Sequence, residues 1–133
     1  MSIELYWLTL ITLMTSLFWA PYILNRMYEM GFWTAISNPN TDTTPKAPWA
    51  QRMMSAHNNA VENLIIFAPL AIAVHIVGAG NELTAIAVKT YFFARLIHYV
   101  GYSAGVPLIR TVMFLIGFTC QLILALSVFG MIN

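Results

Sequence analysis

Two long stretches of this chain carry no charged side chain, and they limit its fold more than any other feature. Residues 5–25 and residues 111–132 contain no Asp, Glu, Lys or Arg. A helix crosses the hydrocarbon of a bilayer with about 20 mainly apolar residues, so each stretch is long enough. Charged residues make up 8% of the chain, against roughly 25% in soluble domains. The sequence therefore predicts an integral membrane protein and excludes a soluble enzyme or a secreted disulfide scaffold.

Charge and cysteine content exclude further classes of protein. The formal net charge is +1, which offers no basic surface for nucleic acid. Cys120 is the single cysteine, so neither an internal disulfide nor a cysteine-based metal site is expected. No set of His, Cys and acidic residues has the spacing of metal ligands, and we expect no metal.

The remaining hydrophobic segments complete a prediction of four spans in one domain, residues 1–133. No Lys or Arg precedes the first span, so we expect it to be retained rather than cleaved as a signal peptide. The polar stretch 26–52 is predicted to be a loop, and the fourth span is expected to be apolar throughout. The fold class is all-α, a membrane four-helix bundle of up-down topology. The spans are expected at about residues 4–25, 50–77, 83–104 and 108–131.

The basic residues predict the orientation. An up-down chain of four spans has its first and third connections on one side and both termini on the other. Cytoplasmic loops of membrane proteins carry an excess of Lys and Arg, so those two connections are predicted to be cytoplasmic. The residues that contribute are Arg26, Lys46, Arg52 and Arg110.

Polar side chains form a stripe on each of two predicted membrane helices. In the second span the stripe is Arg52, Ser55, Asn59 and Glu62; in the third it is Tyr91, Arg95, His98 and Tyr102. Spacings of three and four residues place each set on one helix face. Charges within membrane helices are expensive and by default indicate a function or a partner.

Two interpretations of these stripes remain open. Glu62 and Arg95 could simply neutralise each other between packed helices. However, Glu62 is the only acid in the two stripes, and one carboxylate cannot satisfy Arg52, Arg95 and Arg110. The excess of arginine indicates a site for an anionic ligand, because the planar guanidinium suits carboxylates and phosphates. A small zwitterion would place its amine on Glu62 and its carboxylates on the arginines.

The same residues resemble motifs of the membrane-associated eicosanoid and glutathione metabolism (MAPEG) family. The segment 52–63 resembles its second-helix signature, in which an arginine-rich turn precedes Asn-x-x-Glu, here Asn59 and Glu62. The segment Arg95-Leu-Ile-His98-Tyr-Val-Gly-Tyr102, followed by Arg110, resembles its third-helix motif. Asn38-Pro39 in the first loop also looks familial. The likeness covers nearly the whole chain and is to a bacterial-type member similar to microsomal glutathione transferases.

The resemblance implies a homotrimer that binds glutathione between subunits on the cytosolic side of a bacterial inner membrane. Arg110 would activate the thiol, since a nearby guanidinium favours the reactive thiolate. A lipophilic electrophile or lipid hydroperoxide would enter from the bilayer, as in detoxification by a transferase or peroxidase. Many active members have arginine where this chain has Ser55, so a non-catalytic lipid-binding or scaffold protein of the same fold is the alternative. The residues expected to hold glutathione are Arg26, Arg52, Asn59, Glu62, Arg95, His98 and Tyr102.

Overall fold

The structure, a computed structural model, describes residues 1–37 and 44–133. All regular secondary structure in these two ranges is helical, as the sequence predicts. The predicted Asn38-Pro39 feature lies outside the described residues. The helices are α1 (Ile3–Leu17), α2 (Ala20–Met30), α3 (Phe32–Ile36), α4 (Pro48–Ile76), α5 (Glu82–Ser103) and α6 (Pro107–Val128).

The first apolar segment is interrupted once, between α1 and α2. Pro21 lies in the first turn of α2, and proline has no N–H to donate to the carbonyl four residues before it. The turn is tied to α5 through Tyr99, whose hydroxyl donates to the carbonyl of Phe18 at 2.7 Å. The two rings also stack, with centroids 3.8 Å apart. The interruption therefore does not leave the carbonyl of Phe18 unpaired.

The prediction that a loop begins at Arg26 is wrong. α2 continues to Met30, and the short α3 follows Gly31, whose φ of +82° favours glycine. The carboxylate of Glu29 then accepts hydrogen bonds at 3.0 Å from the backbone N–H groups of Lys46 and Ala47. A charged residue such as Arg26 does not by itself end a helix.

Contacts at the two ends show how the long helices run. Glu4, near the start of α1, accepts a hydrogen bond at 2.7 Å from Thr84, near the start of α5. Arg52, in the first turns of α4, binds the carbonyl of Ser103, the last residue of α5. α1 and α5 therefore run in one direction and α4 in the other. We refer below to the Glu4 end and, where α6 begins, the Arg110 end.

The helices bury a core and expose apolar side chains. Phe67 of α4 and Tyr91 of α5 stack with ring centroids 3.8 Å apart, and both are buried. On the outside, Leu13, Ile65 and Ile76 are more than half exposed. Three segments of the described chain are long and apolar enough to cross a membrane, and α5 is not among them. They are Ile3–Met30, Pro48–Ile76 and Pro107–Val128.

Candidate functional site

Arg52 joins the start of α4 to the end of α5. Its Nε donates to the carbonyl of Ser103 at 2.9 Å, one of the carbonyls that a helix end leaves without an intrahelical partner. Gly105 follows with φ +78°, and a Cβ there would lie 3.4 Å from both Cζ and Nε of Arg52. The positive φ favours glycine at this position, and a Cβ there would be in ordinary van der Waals contact with the guanidinium.

Arg52 and Arg110 border the same depression, which we call the arginine cleft. Its volume is about 310 Å³, and it is lined by Arg52, Tyr102, Gly105, Val106, Pro107 and Arg110. The guanidinium carbon of Arg110 lies 5.1 Å from the centroid of the Tyr102 ring. A cation over an aromatic face is attracted by the ring quadrupole, which helps to hold this exposed arginine in place. Among residues 1–37 and 44–133, no acidic side chain lines the cleft.

Arg110 also borders a second depression, the Asn59 pocket, of about 230 Å³. Its lining residues are Asn59, His98, Arg110, Thr111 and Phe114. His98 is buried, and its ring meets that of Tyr102 edge to face with centroids 5.7 Å apart. Arg110 is therefore the side chain that the arginine cleft and the Asn59 pocket have in common.

Arg95 lies behind the Asn59 pocket rather than in its lining. It is only 2% exposed, and its Nη2 donates to Oδ1 of Asn59 at 2.7 Å. Its Nε finds no hydrogen-bond partner within residues 1–37 and 44–133. Glu62 is exposed and forms no ion pair with Arg95, so the interpretation that these two residues neutralise each other is wrong.

Two amides that the sequence analysis did not assign extend this cluster. Asn63 donates from Nδ2 to the backbone oxygen of Asn59 at 2.9 Å and to its Oδ1 at 3.3 Å. Gln121 donates from Nε2 to the backbone oxygen of Asn63 at 3.4 Å and is 5% exposed. The expectation that the fourth span is apolar throughout is wrong at Gln121. An uncharged amide is tolerated in a core when it is hydrogen-bonded. The sequence signal for this residue was a polar side chain within an otherwise apolar helix.

The other predicted site residues lie elsewhere. Neither Arg26 nor Glu62 lines the arginine cleft or the Asn59 pocket. Arg26 is half-buried in α2, the helix that contacts α4 where the Tyr22 hydroxyl lies 2.7 Å from Nδ1 of His57. Ser55, at the position of the expected arginine, is exposed on α4.

A buried carboxylate that the sequence pattern did not indicate lies at the Glu4 end of the molecule. Glu4 is 3% exposed and accepts a hydrogen bond from Thr84. Gly80 approaches it so closely that a Cβ there would lie 3.1 Å from Oε1. His75 borders the same depression, so it lies at the far end from Arg110. Sequence position gave no signal, because Glu4 stands at a helix start, where an acidic side chain is ordinary.

Cys, His, Asp and Glu do not gather in threes in the described part of the chain. Fold and site together define a helical membrane protein with a cleft bordered by two arginines at one end. The chain matches the family model of the MAPEG family over residues 4–130, nearly its whole length, and it belongs to that family. No curated protein matches the chain.

Proposed function

We propose that this protein is a glutathione-dependent membrane transferase or peroxidase. The observation that carries the proposal is the arginine cleft, which Arg52 and Arg110 both border and which none of the described acidic residues lines. Glutathione brings two carboxylates and one amine, which suits a site with excess positive charge. The MAPEG family includes glutathione transferases and peroxidases, and its members use glutathione.

The proposed binding groups divide by charge. Arg52, Asn59, His98 and Tyr102 would face the carboxylates and peptide groups of glutathione, with Arg95 behind them. Glu62 would bind the amine; it lies outside both pockets, on the exposed surface of α4. In the proposed homotrimer, a neighbouring subunit covers that surface and contributes Arg26. The same assembly would bury part of the apolar exterior.

Arg110 is the proposed activating residue. A free thiol has a pKa of about 8.5, so glutathione is mostly protonated at neutral pH. A guanidinium beside the sulfur favours the thiolate, and the proton leaves to solvent. In conjugation the sulfur forms a bond to an electrophilic carbon, and the leaving group departs with its bonding electrons. In peroxide reduction the sulfur takes one oxygen as the O–O bond breaks, an alcohol leaves after protonation, and a second glutathione yields the disulfide and water.

We propose α5 as the fourth span despite its charges. Arg95 and His98 are 2% and 1% exposed, so neither faces lipid. Lys89 is exposed but lies in the half of α5 nearer the Glu4 end, where a flexible stem reaches the interface. Four spans of a bundle place both termini on one side, and the basic Arg110 end then faces the cytoplasm.

The second candidate function is lipid binding without catalysis. An apolar groove of about 330 Å³ lies on the outer surface, lined by Leu10, Leu13, Met14, Leu17, Phe18 and Phe92. It suits an acyl chain or the lipophilic acceptor of the proposed reaction. Ser55 in place of arginine favours this alternative, because it removes a predicted contact with glutathione.

Titration of glutathione into the purified protein, followed by the ultraviolet absorbance of the thiolate, tests the proposal. We expect a saturable thiolate signal in the unchanged protein. Arg110→Ala should remove the signal while glutathione, measured by calorimetry, still binds. Lys89→Ala removes a cation at a distance from the site and should behave like the unchanged protein.

Each other outcome has a definite meaning. No binding of glutathione to the unchanged protein would overturn the proposal and favour lipid binding. A thiolate signal that survives Arg110→Ala would leave the binding site in place and exclude Arg110 as its activating residue.

A further inference from the structure

The side-chain amide of Asn59 has only one orientation compatible with its neighbour. Arg95 approaches one end of the amide at 2.7 Å. A guanidinium has donors and no acceptor, so the atom that faces it must be the amide oxygen. The amide nitrogen therefore points away from Arg95. The hydrogen-bonding chemistry of the guanidinium therefore fixes which end of the Asn59 amide is the oxygen.

The oxygen of Asn59 is already occupied. It accepts from Nη2 of Arg95 at 2.7 Å and from Nδ2 of Asn63 at 3.3 Å. An amide oxygen has two lone pairs, so both are engaged from within the chain. A ligand that approaches Asn59 from the pocket finds no free acceptor there.

The nitrogen of Asn59 is left as the group for the ligand. Asn59 lines its pocket, and within the described residues its side chain takes part in hydrogen bonds only through Oδ1. Donation from a charged guanidinium to the amide oxygen polarises the amide and strengthens the N–H groups at its other end. Arg95 itself is 2% exposed and lines neither depression. The positive charge of Arg95 thus reaches the pocket through Asn59.

We propose that Arg95 is a positioning residue, which orients the Asn59 side chain as a hydrogen-bond donor. The Nδ2 of Asn59 then donates to a carbonyl or carboxylate oxygen of glutathione. Asn63 supports the same orientation as a second donor to Oδ1. The inference rests on the proposed function for the identity of the ligand, and it replaces the expectation that Arg95 contacts glutathione directly. It also excludes the amine of glutathione from Asn59, which leaves that group to Glu62.

Asn59→Asp is the sharpest test of the donor role. The carboxylate keeps the shape of the side chain and still accepts from Arg95, but it replaces the outward donor with an acceptor. We expect the Kd for glutathione to rise about tenfold to a hundredfold, without loss of thermal stability. Asn58→Asp is the matched control, since Asn58 is an exposed neighbour on α4 and reports the effect of an added negative charge. Equal or tighter binding by Asn59→Asp would overturn the proposal.

A double-mutant cycle tests whether Arg95 acts through Asn59. Glutathione affinity is measured for Asn59→Ala, Arg95→Met and the double variant. We expect each single change to weaken binding, and the double variant to bind no more weakly than Asn59→Ala alone. Losses that multiply would mean that Arg95 contacts the ligand independently, which would overturn the positioning role.

Kinetics and a conservative variant separate positioning from a general loss of structure. Arg95→Met should raise the KM for glutathione while kcat and the KM for the electrophile stay unchanged. Arg95→Lys retains a charged donor and should recover part of the affinity; it also serves where Arg95→Met does not fold. A fall in kcat with no change in KM, or no recovery by Lys, would contradict the inference.

The outcomes distinguish this inference from the proposed function. If the unchanged protein binds glutathione but the cycle is additive, the function stands and the positioning role fails. If the unchanged protein does not bind glutathione, the function fails, and the assignment of a glutathione oxygen to Asn59 fails with it.

Discussion

Gly105 lies in the turn between α5 and α6 and lines the arginine cleft. Its φ of +78° is a backbone conformation that side chains rarely adopt. We expect Gly105→Ala to lower the free energy of unfolding by about 1–2 kcal/mol and to weaken glutathione binding, because relief of the backbone strain moves the turn that borders the cleft. Thermal unfolding and calorimetric titration would measure the two effects.

Gly78 supplies the matched control for this substitution. Its φ is +68°, and a Cβ there would meet nothing within 4 Å. Gly78→Ala should therefore lower stability by a similar amount and leave the affinity for glutathione unchanged. If the two variants lose affinity equally, the conformation of the turn at Gly105 has no specific role in binding.

At the same scale, the sequence indicated more of the residue types in the site than of their contacts. Helical spacing placed Asn59 and His98 on the polar faces of their own helices, and the structure brings both beside Arg110 in one pocket. Spacing could not show that Arg95 pairs with Asn59 rather than with Glu62. That choice depends on how α4 and α5 are rotated against each other, and no local pattern records the rotation.

Among the helices, the link between α1 and α5 at the Glu4 end offers a test of stability. The hydroxyl of Thr84 donates to Glu4 at 2.7 Å and also accepts from the backbone N–H of Asn81. Thr84→Val should lower the free energy of unfolding by about 1–3 kcal/mol, since it leaves buried polar groups unpaired. Glutathione affinity should not change, because the link is at the far end from Arg110.

Thr84→Ser keeps the hydroxyl and is the control, with stability expected close to that of the unchanged protein. Unfolding is followed by circular dichroism during heating in detergent. A loss of glutathione affinity in Thr84→Val alone would show that the two ends are coupled, contrary to this prediction.

Helices themselves were easier to predict than their ends. The long apolar segments predicted α4 and α6, because the bilayer sets the length of a span, but they did not predict that the first segment is divided into α1 and α2. The predicted helix boundary at Arg26 is wrong because it was inferred from a charged side chain. α2 continues past Arg26 and ends at Gly31. The contact of Glu29 with Lys46 and Ala47 joins distant parts of the chain, and no local sequence pattern predicts it.

For the whole molecule, the position of α5 decides the topology. Three segments qualify as spans by length and composition, and the proposed fourth brings the two ends of the chain to one side. Cysteine labelling tests this, because the buried Cys120 is the only native cysteine. In a Cys120→Ala background, Ala104→Cys, an exposed position between α5 and α6, should react with a membrane-impermeant maleimide only from the cytoplasmic side.

Glu82→Cys should react only from the opposite side, because Glu82 lies at the other end of the molecule, where α5 begins. Labelling of intact and permeabilised cells, or of spheroplasts and inverted vesicles where the host is bacterial, separates the two cases. Reaction of both positions from the same side would rule out four spans.

Two hydrogen bonds join α1 to α5, one at each end of the helix. Glu4 binds Thr84, and the carbonyl of Phe18 accepts from Tyr99. The two points are about 20 Å apart along a helix that rises 1.5 Å per residue. Two hydrogen bonds this far apart oppose rotation of α1 against α5, so the two helices are expected to move together. α2 lies beyond the second of these hydrogen bonds and is held to α4 instead, where the Tyr22 hydroxyl lies 2.7 Å from Nδ1 of His57. The hydrogen bonds that tie the first segment to its neighbours therefore pass from α5 to α4 at the interruption.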